Sequence, residues 1–143
     1  MRCILLLLAV FSLAFAPASK PKGENELKKM QGKWSREACT IDGKSGVERP
    51  GSVTVTISGD QLTFGTPDDT WKLTLDPAAK PSSIDFRRVK EVGHCDAIQG
   101  IYRLEGDTLT ICWRVSNEDL GRPTSFDPAQ TDVWVQVLKR KKN

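Results

Sequence analysis

The sequence predicts an all-β fold: an eight-strand antiparallel up-and-down barrel with a short N-terminal helical turn. Three observations lead to this prediction. Two Gly-Asp dipeptides each lie between segments of alternating apolar and polar residues, which is the pattern of a tight hairpin. The apolar faces of successive segments agree in register. No long helical pattern follows the first 18 residues.

The first segment is expected to be removed from the mature protein. Arg2 gives a positive start, residues 4–16 are apolar apart from Ser12, and Ala16-Pro17-Ala18 resembles a cleavage site. Residues 1–18 are therefore predicted to be a signal peptide. The apolar run is too short to cross a bilayer, which takes about 20 residues. We expect a protein exported to the periplasm or outside the cell, without an integral membrane span after processing; a retained anchor is the alternative.

The mature chain is long enough for one domain with a real core. Removing 18 of the 143 residues leaves 125, and the loss of Arg2 lowers the net charge from +3 to +2. This charge is too small to indicate binding of nucleic acid or of an anionic membrane. The basic tail, residues 139–142, is expected to be solvated. A monomer is expected.

The first elements of the mature chain are short. Residues 19–25 are rich in Lys, Pro, Gly and Glu and are expected to form a flexible lead. Residues 26–31 are expected to make one or two helical turns, with Leu27 and Met30 on one side. The first strand, residues 34–41, begins with the Trp of "GKW".

A hairpin is predicted at Gly59-Asp60, because Gly adopts positive φ without strain and Gly-Asp suits a two-residue loop. Its register pairs Ile57 with Leu62 and Val55 with Phe64 on one face, and Thr56 with Thr63 on the other. A four-residue turn, residues 66–69, is expected next. It would pair Phe64 with Trp71 and Leu62 with Leu73, so that one apolar face continues through three strands.

A second hairpin is predicted in "GIYRLEGDTLTICW", with its loop at Gly106-Asp107. The pairs expected on one face are Leu104–Leu109, Tyr102–Ile111 and Gly100–Trp113, and those on the other are Arg103–Thr110 and Ile101–Cys112. The motif-like appearance of this stretch is therefore explained by strand pairing. It does not indicate a reactive site.

Two further strands complete the count. Residues 83–88 follow the turn-rich "DPAAKPS", and residues 132–139 contain Val133, Val135 and Val137 in alternation. The total is eight strands with mostly short connections. Closure into a barrel removes the exposed sheet edges, which favours an up-and-down barrel. An open two-sheet sandwich is the alternative.

The order of these elements resembles the lipocalins. "GKW" after a short helical turn, at the head of an eight-strand meander, is similar to the lipocalin Gly-x-Trp signature. In that fold the Trp closes one end of the barrel, and a basic residue after the last strand packs over it. The resemblance implies these roles for Trp34 and Arg140.

A second resemblance covers about residues 26–140. The motifs "ELKKMQGKW", "LTLDPAAKPSSIDF", "GIYRLEGDTLTICW", "GRPTSF" and "VWVQVLKR" occur in an order similar to that of a small exported lipocalin-like domain family, abundant in planctomycete bacteria and of unassigned function. The resemblance implies a single lipocalin-like barrel over residues 26–143 and an exported location. It carries no catalytic residues.

His94-Cys95-Asp96 is the only stretch that resembles a reactive constellation. A thiol beside an imidazole can be activated when the side chains meet, but neighbouring residues of an extended chain point in opposite directions. A single His and isolated cysteines also give poor zinc spacing. The carboxylate pairs at 68–69 and 118–119 fall in predicted turns. We therefore expect neither an enzyme nor a metal site, and no cofactor.

The aromatic residues offer the most information on function. Phe64, Trp71, Phe86, Tyr102 and Trp113 all fall on the apolar faces of their strands. A small eight-strand barrel is either filled by such side chains or holds one small ligand, and a filled core is narrowly favoured. Arg36 shares parity with Trp34 and is expected to point inward, where a guanidinium needs an acid or an anionic ligand.

Two functions therefore stay open. The first is an exported non-catalytic barrel that binds a small apolar or amphipathic molecule, lined by Arg36 and the five aromatic residues. The alternative is an interaction or structural module of the cell envelope that has a filled core and uses its loops to bind a protein partner. A cavity open at one end would favour the first, and a packed interior the second.

The cysteines and the longest connection complete the expectations. Cys39, Cys95 and Cys112 remain after processing, which allows at most one internal disulfide. A Cys39–Cys95 disulfide across the open rim is predicted, with Cys39–Cys112 as the alternative. The connection at 116–131 is expected to fold over one end of the barrel, anchored on the rim by Phe126.

Overall fold

The chain forms a closed eight-strand antiparallel barrel with one short helix, which confirms the predicted fold class. The computed structural model describes residues 23–46, 51–90, 97–114 and 120–142. Its elements are α1 (Glu24–Met30), β1 (Gly32–Ile41), β2 (Lys44–Ser45), β3 (Thr54–Ser58), β4 (Gln61–Phe64), β5 (Thr70–Asp76), β6 (Ser83–Arg88), β7 (Ala97–Glu105), β8 (Thr108–Arg114) and β9 (Val133–Arg140). The two-residue β2 is a short hairpin extension of β1, and the other eight strands form the barrel.

Pairing of the first strand with the last closes the barrel. β1 contacts β3 along its first half and β9 along nearly its whole length. A β-bulge lies between Arg36 and Ala38 in the β1–β9 ladder. Trp34 and Arg36 face inward before the bulge, and Cys39 faces inward beyond it, opposite Gln136. The bulge therefore reverses the parity of β1 partway along its length.

Both predicted Gly-Asp hairpins form in the predicted register. β3 and β4 pair Val55 with Phe64, Thr56 with Thr63 and Ile57 with Leu62. β7 and β8 pair Gly100 with Trp113, Ile101 with Cys112, Tyr102 with Ile111, Arg103 with Thr110 and Leu104 with Leu109. Gly59 and Gly106 adopt φ of +59° and +57°, the left-handed conformation that these loops require.

The predicted register between β4 and β5 is wrong by two residues. Leu62 pairs with Trp71, not with Leu73. The turn begins one residue earlier than predicted, because Gly65 adopts φ of +67° and Phe64 donates its amide proton to the Asp69 carbonyl at 2.9 Å. Since the shift is an even number of residues, the apolar side chains stay on the inner face.

One end of the barrel is closed by Trp34 and α1. The Trp34 indole is fully buried and donates its Nε1 proton to the Met30 carbonyl at 2.9 Å. The Arg140 guanidinium lies 4.2 Å from the centre of the Trp34 ring and donates to the carbonyls of Gln31 and Lys29 at 2.7 and 2.6 Å. One arginine thus stacks on the tryptophan and ties down the end of α1.

The closed half of the barrel is filled by apolar side chains. They come from α1 and from the inner faces of the strands, and include Met30, Ile57, Leu62, Leu75, Ile84, Leu109, Ile111 and Leu138. All of these are at most 6% exposed. The predicted filled core is therefore present in this half.

The described part of the long connection, residues 120–132, packs on the outer wall of the barrel and not over its end. Ile101, Cys112, Val133 and Val135 form an outward-facing apolar cluster, and Phe126 covers it. Arg122 fixes the same segment, since its Nη1 donates to the Gly100 carbonyl at 2.6 Å and lies 2.7 Å from Asp85 Oδ1. The apolar outer face of β7–β9 explains the departure from the prediction, because this face would otherwise be exposed to water.

Replacing Arg140 with Ala is expected to lower the free energy of unfolding by about 2 kcal/mol, because a cation–π contact and three hydrogen bonds are lost, one of them the exposed bond to Asp107. Urea unfolding measures the change. Lys139→Ala is the matched control, because Lys139 is the preceding residue on the same strand and its side chain is exposed. Equal effects of the two substitutions would contradict this assignment.

Replacing Phe126 with Ala is expected to cost roughly 2 kcal/mol in the same measurement. Truncating a fully buried Phe lowers the free energy of unfolding by more than this, but the Phe126 ring is only half-buried. Thr124→Ala alters an exposed side chain of the same segment and is expected to stay within about 0.5 kcal/mol of the parent. An unchanged stability for Phe126→Ala would mean that the outer cluster does not depend on this cover.

Candidate ligand-binding cavity

A cavity of about 350 Å³ occupies the half of the barrel opposite Trp34. Its lining comes from seven strands and the β4–β5 turn, and consists of Arg36, Phe64, Asp69, Trp71, Phe86, Arg88, Ile98, Trp113, Trp134 and Gln136. The volume lies at the lower end of the range for small-molecule sites, which is about 300 to 1,000 Å³. The barrel interior is therefore filled at one end and hollow at the other, which corrects the expectation of a filled core throughout.

Trp113 is the centre of the aromatic wall. Its ring centre lies 5.8 Å from that of Phe86, 6.3 Å from Phe64 and 6.0 Å from Trp134, with tilted ring planes in each pair. Gly100 is opposite Trp113 on the neighbouring strand, and a Cβ atom there would lie 2.7 Å from the Cys112 carbonyl oxygen. The missing side chain allows the strands to approach closely behind the Trp113 ring.

Arg36 and Gln136 supply polar atoms to this apolar interior. Arg36 lies two residues after Trp34 on β1, which is about 6.6 Å along a strand, and lines the cavity. Its Nε atom is buried and has no hydrogen-bond partner within the described part of the chain. The Gln136 side chain is 2% exposed, and its Oε1 atom is likewise buried without a partner among those residues. Both groups therefore keep unused hydrogen-bonding capacity.

A second group of polar side chains holds Trp71 in place. The Trp71 indole donates its Nε1 proton to Asp69 Oδ1 at 2.7 Å. The guanidinium of Arg88, on β6, lies 4.7 Å from the centre of the Trp71 ring. The preceding residue, Asp68, is exposed, and its hydrogen bond to Lys90 at 2.8 Å lowers the pKa of that carboxyl. Asp69 and Arg88 thus both have partners, whereas the Arg36 Nε has none among the residues that the structure describes.

The structure places five of the six predicted lining residues on the cavity: Arg36, Phe64, Trp71, Phe86 and Trp113. Tyr102 does not border it. This residue is inward-facing but lies nearer the closed end, where burial and the Glu26 carboxylate raise its pKa to about 12. Strand parity is correct for Tyr102, but parity does not say how far along the barrel a side chain lies.

Four lining residues besides Asp69 were missed by the sequence analysis. Arg88 is two residues after Phe86, and Ile98 is four residues before Tyr102, so strand alternation places both on the inner face. Extending the alternation to the strand ends would have identified them. Trp134 and Gln136 were missed for another reason. The valines of β9 alternate with them, and because both faces of this strand are largely buried, the sequence does not show which face points inward.

The cysteines are partly described. Cys39 and Cys112 are buried free thiols, and no disulfide occurs in the described ranges. Cys95 lies outside those ranges together with His94 and Asp96, so the Cys39–Cys95 disulfide and the environment of this triplet stay predictions. Burial raises the pKa of Cys39 despite the opposing effect of the Arg36 guanidinium.

Among residues 23–46, 51–90, 97–114 and 120–142, no group of three or more His, Cys, Asp or Glu side chains could hold a metal ion. No helix in the same ranges combines the length and hydrophobicity needed to cross a membrane. No family model, curated protein or solved structure matches the chain.

Cys112 is expected to resist alkylation in the folded protein. Burial raises its pKa to about 11, so at about pH 8 the reactive thiolate is on the order of one thousandth of the population. Treatment with iodoacetamide followed by peptide mapping should leave Cys112 unmodified for times that label it fully in concentrated guanidinium chloride. Equal labelling rates with and without denaturant would contradict its burial under the Phe126 segment.

Proposed function

We propose that this protein is an exported, non-catalytic barrel that binds a small apolar or amphipathic molecule in the cavity between the Trp34 plug and the open end. The observation that supports this most is the cavity itself, about 350 Å³ in volume and walled by five aromatic side chains. Ligand sites commonly combine such apolar walls with a few placed polar groups, and Arg36 and Gln136 are of this kind.

The architecture favours a preformed site. Trp34, Arg140 and α1 close one end, so a molecule would enter only from the other. Tilted contacts among Trp113, Phe64 and Phe86 hold the aromatic wall in a defined arrangement. A rigid, preformed pocket lowers the ordering cost of binding.

The exported location and the resemblance to the small planctomycete domain family belong to the same proposal. They are supported by residues 1–18, which lie outside the described ranges, and by the order of the sequence motifs. An envelope module that uses its loops is the competing function, and it requires no occupied cavity.

Binding can be tested with N-phenyl-1-naphthylamine, a neutral probe whose fluorescence rises in apolar surroundings. Purified protein is expected to bind one probe per chain with a micromolar dissociation constant. Ile98→Trp puts a larger side chain on the cavity wall and is expected to weaken binding about ten-fold or more.

Gln99→Trp is the matched control, because it places the same side chain on the next residue, which is exposed on the other face of β7. It should bind the probe as the parent does. Absence of binding to the parent, or equal weakening by both substitutions, would reject the cavity as a ligand site and favour the envelope module.

A further inference from the structure

We propose that the cavity recognises a flat aromatic or conjugated carboxylate. Its anionic group would be bound by Arg36, and its apolar body would lie against the aromatic wall around Trp113. This inference rests on the proposed function. The aromatic wall alone would suit any apolar molecule. Arg36 is what distinguishes an anion from a neutral compound.

The charge of the lining favours an anion. Arg36 and Arg88 are the basic residues of the cavity wall, and Asp69 is its acidic residue. Asp69 accepts the Trp71 indole proton at 2.7 Å, and Arg88 stacks on the same indole at 4.7 Å. The Asp69 and Arg88 charges both lie beside the Trp71 indole and are of opposite sign, so they largely cancel. The remaining positive charge of the lining is that of Arg36.

The position of Arg36 is that of an anchor for a charged group. The residue lies one inward position beyond the Trp34 plug, and the bulge that follows it separates it from the inward Cys39. Its buried Nε lacks a hydrogen-bond partner in the described ranges. A carboxylate would supply the acceptor that this Nε lacks, and the planar fork of the guanidinium matches the two oxygens of a carboxylate.

Gln136 adds a second polar contact on the same side of the cavity. It is opposite Cys39 in the β1–β9 ladder, and Leu138, two residues further along β9, is opposite Arg36. Gln136 and Arg36 are therefore diagonal neighbours on the inner face, close enough for one ligand to contact both. The buried Oε1 atom of Gln136 can accept a hydrogen bond from a ligand hydroxyl or from a bound water molecule, whereas the carboxylate itself is bound by Arg36.

The aromatic wall determines the shape of the rest of the ligand. The ring centres of Phe86 and Trp134 each lie about 6 Å from that of Trp113, so the three rings form one aromatic surface on the cavity wall. A planar ring system gains stacking contacts there that a branched aliphatic molecule does not. With a cavity of about 350 Å³, a compound of one or two fused rings with a carboxylate is the expected size class.

The test compares two compounds of nearly the same shape, 2-naphthoate and 2-naphthalenemethanol, by isothermal titration calorimetry at neutral pH. The parent protein is expected to bind the carboxylate at least about ten-fold more tightly than the alcohol. Arg36→Gln should abolish this preference and leave binding of the alcohol within about three-fold of the parent.

Arg87→Gln is the matched control, because it removes one positive charge from an exposed side chain on the outer face of β6. It should keep the ten-fold preference. Equal affinity of the parent for both compounds would overturn the carboxylate assignment while leaving the proposed function intact. This comparison uses the parent protein alone, so it remains decisive even if Arg36→Gln does not fold. Loss of the preference in Arg87→Gln to the same extent as in Arg36→Gln would also overturn it. If neither compound binds to the parent, the proposed function itself fails.

Discussion

The stacking of Arg140 on Trp34 decides which end of the barrel is closed, and the position of the cavity depends on it. Trp34 lies near the start of the first barrel strand and Arg140 at the end of the last, so their contact also joins the two strands whose pairing closes the sheet. The same guanidinium donates hydrogen bonds to the carbonyls of Lys29 in α1 and of Gln31, which follows the helix, and so holds α1 over the end. Apolar side chains fill the barrel next to this plug, and the cavity lies further along.

The bulge in β1 gives Arg36 its place in that space. A regular strand would alternate inward and outward side chains without interruption, but the extra residue lets both Arg36 and Cys39 face inward on either side of the irregularity. The inner wall of β1 therefore carries a guanidinium into a cavity that is otherwise walled mostly by aromatic rings. A charge in such surroundings is stabilised by a counter-charge.

Turn chemistry and strand parity were sufficient to predict much of the fold from the sequence. The two Gly-Asp loops fix both register and twist, so both hairpins were predicted pair by pair. The β4–β5 turn was not, because a longer loop fixes register less strictly and Gly65 begins it early. The hollow half could not be predicted, since parity says which side chains face inward and nothing about how completely they fill the volume. Alternation alone could not give the inward face of β9, because the Phe126 segment buries the outer face of this strand as well.

The central claim is that the half of the barrel beyond Trp34 is an open site with Arg36 at its base. A crystal structure of the protein soaked with 2-naphthoate tests it most directly. The account predicts density for the ring system against Trp113, with both carboxylate oxygens within hydrogen-bond distance of the Arg36 guanidinium. An interior occupied by protein side chains, or a naphthoate bound only on the outer surface, would contradict it.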